Sequence, residues 1–314
     1  MEADLFGQLK QQLYETVQDA EERKQILRAI DRLSAEKLNI LLVGATGVGK
    51  SSTINALFDC EIAKVGYSVD PETKYIQKYE FNNLVLWDSP GIGDSPEKDQ
   101  DYAVQIANAL KARDSQGNYV IDEVLIIIDG SNRDLGTTYE IIEHVIKPYM
   151  RDTERIAIAI NQCDMAMKGR YWSDETGPEP QLTAFLDEKA VSIKRRIAEA
   201  TGVSVEPIYY SALHRYNISS LLALLLQKMP ETKRFLVADA LNKDPDIWKS
   251  NDGLRDYNNE IHSSIFGSLA RAISGAKDGA MIGAEIGSAI PVVGKVVGAV
   301  VGSVIGFLGG LFQK

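Results

Sequence analysis

The sequence predicts an α/β protein built on a doubly wound, mostly parallel sheet. Short apolar runs alternate with helix-patterned segments along most of the chain, and this alternation is typical of right-handed βαβ units. The runs are almost continuously apolar, as expected of strands that are buried on both faces of a parallel sheet. The five runs are 39–43, 84–87, 124–128, 156–160 and 205–210, and the helical segments between and after them are 51–58, 99–113, 137–149, 181–200 and 218–228.

Composition divides the chain into four parts. Residues 3–36 carry leucine, isoleucine and valine at helical spacing among charged residues, which predicts one or two amphipathic helices. The alternating pattern begins near residue 38 and ends near Pro230, and the polar segment that follows contains turn-forming pairs. We therefore expect flanking N-terminal helices at 1–36, an α/β domain at 37–230, a connector with short helices at 231–262, and a glycine-rich segment at 263–314.

Charge and cysteine content exclude several classes of protein. The formal net charge of −10 over 314 residues argues against a broad DNA-coating surface, because binding to a duplex depends largely on neutralising phosphates. Cys60 and Cys163 are the two cysteines, too few for a disulfide framework or a metal cluster. The first residues lack a basic flank and an apolar stretch, so we expect no secretory signal and a cytoplasmic protein. The three histidines, His144, His214 and His262, are isolated and are expected on the surface or in packing.

A phosphate-binding loop follows the first apolar run. The segment matches G-x-x-x-x-G-K-[ST] between a predicted strand and a predicted helix, the context that confirms this motif. Its backbone N–H groups and the helix N-terminus favour phosphate oxygens, Lys50 would reach the β- and γ-phosphates, and the Ser51 hydroxyl would bind Mg²⁺. The residues expected to line it are Gly44, Ala45, Thr46, Gly47, Val48, Gly49, Lys50, Ser51 and Ser52.

Three further segments follow later strands. Asp88-Ser89-Pro90-Gly91 supplies a carboxylate for Mg²⁺ and a Gly91 N–H near the γ-phosphate. Asn161-Gln162-Cys163-Asp164 ends the fourth run, where the Asp164 carboxylate can accept the guanine N1–H and N2–H; adenine lacks that donor pair. Ser211-Ala212, after the fifth run, would offer a backbone N–H to guanine O6. GTP or GDP with Mg²⁺ is therefore the expected ligand.

These four elements, in this order and spacing, resemble those of Era-like and septin-like GTPases over about residues 38–230. The stretches G-A-T-G-V-G-K-S-S-T-I-N-A-L and D-S-P-G-I-G-D are similar to the bacterial YfjP-like GTPases. The resemblance implies a P-loop GTPase fold and a threonine that completes the Mg²⁺ ligands together with Ser51 and Asp88, and Thr73 is the candidate. It also implies that Lys50, Thr73 and Gly91 act on the phosphates in catalysis.

The sequence departs from the resembled pattern in two places. Gln162 stands where the usual N-K-x-D motif has lysine, so somewhat weaker nucleotide binding with retained guanine preference is expected. Ile92 follows Gly91, where Ras-like enzymes carry the glutamine that orients water. Slow hydrolysis is therefore expected, dependent on a partner, an ordered switch or a homodimer across the nucleotide face. Gly47 replaces the asparagine of potassium-activated relatives, so potassium activation is not expected.

The C-terminal segment is rich in glycine at a four-residue spacing. Gly275 begins one series and Gly294 begins a second, with Pro291 between them. This spacing lets helix backbones approach closely, as in membrane helices, and predicts a helical hairpin over 263–314. It would either associate with membrane lipid or pack against the apolar stripe of residues 3–36.

The expected function is a nucleotide-controlled switch with slow GTPase activity that acts on a membrane or partner. Two alternatives stay open: a ribosome- or RNA-associated assembly factor, and a scaffold that holds GTP without hydrolysing it. The first is suggested by the Era resemblance, although the acidic balance does not favour it.

Overall fold

The computed structural model describes residues 4–58, 75–93, 95–132, 135–150, 152–248 and 257–274. A six-stranded sheet forms the centre, with the strand order β2-β3-β1-β4-β5-β8. All neighbouring pairs are parallel except β2 with β3. The strands are β1 Leu38–Gly44, β2 Gln77–Phe81, β3 Leu84–Asp88, β4 Glu123–Asp129, β5 Ile156–Asn161 and β8 Ile208–Tyr209. The doubly wound α/β fold predicted from the sequence is confirmed.

Helices cover both faces of the sheet. They are α1 Leu5–Thr16, α2 Ala20–Ser34, α3 Lys50–Leu57, α4 Pro96–Lys111, α5 Gly136–Glu140, α6 Pro180–Thr201, α7 Ile218–Lys228 and α8 Tyr257–Ser274. Short 3₁₀ segments lie at Thr153–Arg155, Cys163–Gly169, Arg234–Ala240 and Pro245–Trp248. A two-stranded antiparallel ribbon, β6 Trp172–Ser173 with β7 Gly177–Pro178, precedes α6.

Three local differences separate the structure from the sequence prediction. Strand β2 was not predicted, because an edge strand with an exposed and half-exposed pattern lacks the apolar run on which the prediction depended. The run 205–210 forms a strand only at Ile208–Tyr209, since Pro207 has no N–H to donate to a ladder. The helix predicted at 137–149 is α-helical at Gly136–Glu140 and then π-helical at Ile141–Ile146.

The sheet separates two apolar cores. Side chains of β1 alternate between them, with Ile40 and Leu42 in one and Leu41 and Val43 in the other, as the two-residue period of a strand requires. The second core is completed by α4, the 141–146 segment and α6. The first contains residues from α1, α2, α3, α7, α8 and both 3₁₀ segments between 234 and 248.

The segments outside the α/β region therefore share its core. In the expected connector, Phe235 and Trp248 are fully buried, and α8 runs continuously across the expected boundary at residue 262. The apolar stripe of α1 and α2 packs on these elements: the Phe6 and Phe235 rings lie 6.1 Å apart, and the Leu5 N–H donates to the Asp239 carboxylate. Burial raises the pKa of that carboxyl group.

Several sequence predictions fall outside the described residues. They concern Thr73, Cys60 and the part of the predicted hairpin at 275–314. Within the residues that the structure describes, no helix has the length and apolar character needed to cross a membrane.

Candidate functional site

The predicted site residues lie together at the carboxyl edge of the sheet. The 44–51 loop follows β1, Asp88 ends β3, Asn161 ends β5, and Ser211 comes directly after β8. In open α/β sheets this edge is where ligands bind. Of the predicted residues that the structure describes, the glycine-rich loop, the acidic loop after β3 and the two loops after β5 and β8 are all brought to this edge.

Two glycines give the 44–51 loop its conformation. Gly47 and Gly49 have φ angles of 78° and 88°, a left-handed region that other residues adopt only with strain. At Gly49 a Cβ atom would also lie 2.4 Å from the Asn161 side-chain nitrogen. Helix α3 begins at the next residue, Lys50, so its N-terminal N–H groups open toward the loop. The two glycines thus give the loop its turn directly before the N-terminus of α3.

Lys50 and Ser51 each make hydrogen bonds within the site. The Lys50 ammonium donates to the carbonyl oxygens of Gly44 and Ala45, each at 3.1 Å. The Ser51 hydroxyl donates to Asp88 Oδ2 at 3.0 Å. These contacts join the first turn of α3 to the end of β3.

Asp88 is a buried carboxylate with one unpaired oxygen. Burial raises its pKa, while the charge of Lys50 and the Ser51 hydrogen bond oppose that change. Its Oδ1 atom has no hydrogen-bond partner among the described residues. A buried unpaired acceptor beside a hydroxyl fits a hard divalent cation, and Mg²⁺ is usually held by one or two protein oxygens together with phosphate and water. The described part of the chain holds no cluster of three His, Cys, Asp or Glu side chains that could bind a metal by itself.

The loop after β3 lies directly against the glycine-rich loop. The Thr46 N–H donates to the Ile92 carbonyl at 3.2 Å, the Ile92 N–H donates to the Gly44 carbonyl at 3.3 Å, and the Thr46 hydroxyl donates to the Gly91 carbonyl at 3.0 Å. A Cβ atom at Gly91 would lie within 2.6 Å of backbone atoms of Thr46. Only glycine allows this approach.

Asn161 connects three loops of the site. Its side-chain N–H donates to the Val48 carbonyl at 2.8 Å, and its side-chain oxygen accepts the Ala212 N–H at 3.0 Å. Gln162 adds a second link, donating to the Gly47 carbonyl at 2.7 Å. The glutamine therefore contacts the glycine-rich loop from the position at which the resembled families have lysine. The Ala212 N–H, expected to face guanine O6, is bonded within the protein in this structure.

Asp164 is the buried acid on the base side of the site. It is 4% exposed, and its Oδ1 atom has no hydrogen-bond partner within the described ranges. Cys163, beside it, is fully buried, and burial raises the pKa of its thiol. A buried carboxylate oxygen without a partner is costly unless a ligand supplies a donor.

Sequence reasoning missed His214. We expected it on the surface or in packing, but its Nε2 atom lies 3.7 Å from Asp164 Oδ2. Its backbone N–H also donates to the Ser211 hydroxyl at 3.2 Å. The available signal was its position, because His214 comes two residues after Ala212, in the loop expected to contact the base.

Fold, loop order and contacts together define a P-loop GTPase domain. Residues 39–162 match the sequence model of the family described as "50S ribosome-binding GTPase", so this segment is similar to the domains of that family. Two curated Escherichia coli K12 proteins, the uncharacterised YfjP and YkfA, are each 30% identical to the chain over 147 residues. The predicted resemblance to YfjP-like proteins is thereby confirmed. The match covers 46% of this chain and 47% of each relative, so it spans about half the length of these proteins.

Similar solved structures include two GTPases. One is Era in complex with MgGDPNP and a 16S ribosomal RNA fragment, with 21% identity, a TM-score of 0.43 and 65% of each chain covered. Another is LeoA, a bacterial dynamin GTPase from ETEC, with 16% identity, a TM-score of 0.44, and coverage of 69% of this chain and 41% of that one.

Proposed function

We propose that the protein binds GTP and GDP with Mg²⁺ and hydrolyses GTP slowly, acting as a switch. The observation that carries this proposal is the pair of buried, unpaired carboxylate oxygens on Asp88 and Asp164. They flank the glycine-rich loop on its two sides, one at the end of β3 and one beyond the end of β5. A guanine nucleotide with a bound cation would satisfy both.

Guanine recognition rests on Asp164. Its carboxylate would accept the N1–H and N2–H of guanine, and ATP would leave it buried and unpaired. Sites built on such bonds discriminate by up to about 10⁴-fold. For Ala212 to donate to guanine O6 as well, its N–H would exchange the Asn161 oxygen for the base.

Asp164→Asn tests the base assignment. The change should weaken GTP binding and admit xanthine nucleotides, whose O2 suits an amide donor. Calorimetry with GTP, XTP and ATP measures both effects, and wild-type binding of ATP as tight as that of GTP would contradict the assignment.

Phosphate and cation binding rest on Lys50, Ser51 and Asp88. Lys50 would exchange its bonds to the loop carbonyls for phosphate oxygens, and the Ser51 hydroxyl with Asp88 would hold Mg²⁺, with Thr73 as the further proposed ligand. A bound Mg²⁺ ion would neutralise phosphate charge. The Gly91 N–H would lie near the γ-phosphate.

Slow turnover follows from the position of Ile92. Its side chain is buried in the core and has no polar atom with which to orient water. Its backbone is bonded to the glycine-rich loop on both sides. The protein itself then supplies phosphate charge stabilisation but little help for the attacking water. Single-turnover assays should give a rate well below about 1 s⁻¹, in the range that Ras-like proteins exceed only with an activating partner.

Lys50→Ala and Ser51→Asn test the phosphate site. Lys50→Ala should abolish triphosphate binding, and Ser51→Asn should favour GDP over GTP. Lys24→Ala, an exposed lysine on α2, is the matched control and should change neither. Unchanged GTP affinity in Lys50→Ala would refute the proposal.

The proposed output lies in the helices outside the α/β region. Asn242 joins them to the nucleotide helix: its backbone N–H donates to Leu57, and its side chain donates to the carbonyls of Asn55 and Ala56. The segment after α3 is where the proposed Thr73 ligand lies. A change there on nucleotide exchange would therefore reach the C-terminal elements through Asn242, and through them the part of the proposed 263–314 hairpin that follows α8.

Membrane association of that hairpin has a direct test. Liposome flotation should be run with GDP and with a GTP analogue, on full-length protein and on a chain ending at Ser274. Ending the chain at residue 262 would instead cut through α8 and remove the buried Ile265 and Leu269. Failure of the full-length protein to float in every nucleotide state would leave the hairpin a structural or partner-binding element.

Two proposed partners need separate assays. The family description names ribosome binding, which keeps a ribosome-associated role as a second candidate; co-sedimentation with ribosomes tests it. Homodimerisation across the nucleotide face would appear as hydrolysis per molecule that rises with protein concentration.

A further inference from the structure

We propose that His214 is a positioning residue for guanine recognition, fixed beside Asp164 by Asp174 and Trp172. This inference rests on the proposed binding of guanine by Asp164. It assigns a role in base specificity to the β6–β7 ribbon, residues 172–178, which lies outside the four nucleotide-binding motifs.

The two oxygens of Asp164 have different surroundings. Oδ1 is buried and unpaired among the residues described, whereas Oδ2 faces the His214 ring, with Nε2 at 3.7 Å. That separation is longer than a hydrogen bond and is a contact between the edge of the ring and the carboxylate. His214 thus approaches the carboxylate from one side and leaves the other oxygen open.

The ribbon holds the His214 ring in place. Asp174 Oδ1 lies 3.3 Å from the ring Nδ1 atom and also accepts the Trp172 indole N–H at 3.2 Å. The Trp172 and His214 rings are 5.1 Å apart, and Trp172 packs edge-on against Tyr216 at 5.5 Å. One carboxylate therefore contacts both rings, and the imidazole lies between the exposed Asp174 and the buried Asp164.

This arrangement bears on specificity because guanine needs both carboxylate oxygens. The terminal torsion of an aspartate is broad and roughly two-fold, so a lone Asp164 would sample orientations that accept one guanine N–H well and the other poorly. An imidazole ring held beside Oδ2 restricts that torsion. Each carboxylate oxygen has two lone-pair sites, so Oδ2 can face His214 and still accept from the base.

Inosine diphosphate separates this role from general support of the fold. It lacks the 2-amino group of GDP, so it makes only one of the two bonds to Asp164. Losing the fixed orientation should cost GDP more than IDP. A residue that merely stabilises the loop would change both affinities by the same factor.

The experiment is calorimetry of GDP and IDP with full-length wild type, His214→Ala, His214→Gln and Asp174→Ala. His214→Ala should lower the GDP-to-IDP affinity ratio by about threefold to tenfold, the range expected for one lost oriented polar contact. His214→Gln, which keeps a side-chain N–H, should restore most of the ratio. The GDP-to-IDP affinity ratio of Asp174→Ala should fall between those of wild type and His214→Ala. His144→Ala, an exposed histidine on the 141–146 segment, is the control and should match wild type.

The outcomes separate this inference from the proposed function. Wild type that prefers GDP to IDP, with an unchanged ratio in His214→Ala and Asp174→Ala, overturns the role of His214 and leaves guanine recognition intact. Wild type that binds no GDP overturns both. If His214→Ala fails to fold, an unchanged ratio in His214→Gln and Asp174→Ala still overturns the inference, whereas a lowered ratio in Asp174→Ala with near wild-type His214→Gln supports it.

Discussion

Replacing Asn161 with alanine should destabilise the protein more than replacing its neighbour Gln162 does. Its amide side chain is buried and connects the glycine-rich loop to the loop after β8 through two hydrogen bonds, to Val48 and from Ala212. Asn161→Ala removes both bonds at once. The Val48 carbonyl and the Ala212 N–H would then be buried without these hydrogen bonds.

The magnitude follows from what each partner loses. A buried donor or acceptor left unsatisfied costs about 1–3 kcal/mol, and partial relaxation of two flexible loops reduces the sum for the pair to about 2–4 kcal/mol. Asn161→Asp keeps the acceptor for Ala212 but loses the donor to Val48, so it should also destabilise. Gln162→Ala removes one solvent-exposed bond, and its cost should stay below about 1 kcal/mol.

Thermal and urea unfolding of the three variants without nucleotide measure these differences. At about 2 °C per kcal/mol for a folding unit of this length, a loss of about 2–4 kcal/mol corresponds to a fall in Tm of about 4–8 °C. If Asn161→Ala is no less stable than Gln162→Ala, the connection through Asn161 carries no free energy and the reasoning is wrong.

Three other changes give distinct outcomes. Glu123→Gln should raise the free energy of unfolding at about pH 7.5 and change it least near pH 4. Burial raises the folded-state pKa of Glu123 well above its usual range, so the wild type loses stability as pH rises above the unfolded pKa. Urea titrations at both pH values test this, and equal effects of the substitution at the two pH values would contradict it. Gly91→Ala should impair GTP binding more than GDP binding, because the added Cβ would collide with the Thr46 backbone where the proposed γ-phosphate contact lies. Calorimetry with both nucleotides tests this, and an equal loss of affinity for the two would contradict it. Asn242→Ala should cost about 1–2 kcal/mol and raise hydrogen exchange at residues 54–58, whereas unchanged exchange there would show that it does not hold the end of α3.

Much of the fold could be predicted from the sequence because its strongest signals are local. Strands β1, β3, β4 and β5 are buried on both faces, and each is a continuous apolar run. The glycine-rich loop was readable because its geometry requires glycine at 47 and 49. Strand β2 was not, since its ladder with β3 depends on a neighbour that the local pattern does not reveal.

Contacts between distant residues account for what the sequence left out. The pairing of Asp164 with His214 and the fixing of that ring by Asp174 bring together three loops, and no spacing rule relates them. The same holds for Asn242, which contacts residues 55–57 from nearly 190 positions away. Polar composition suggested a connector at 231–262, but burial of Phe235 and Trp248 arises from tertiary packing.

The shared core on one face of the sheet sets the unit that folds and is inherited together. One apolar cluster contains Ile30 from α2, Leu42 from β1, Phe235 from the 234–240 segment and Leu269 from α8. Each of these side chains is almost completely shielded from water. A polypeptide that contains the nucleotide-binding motifs alone would expose this apolar face to water and aggregate. In a chimaera of two relatives, exchanging the motifs without the helices at both ends would therefore mismatch the two sides of this shared core.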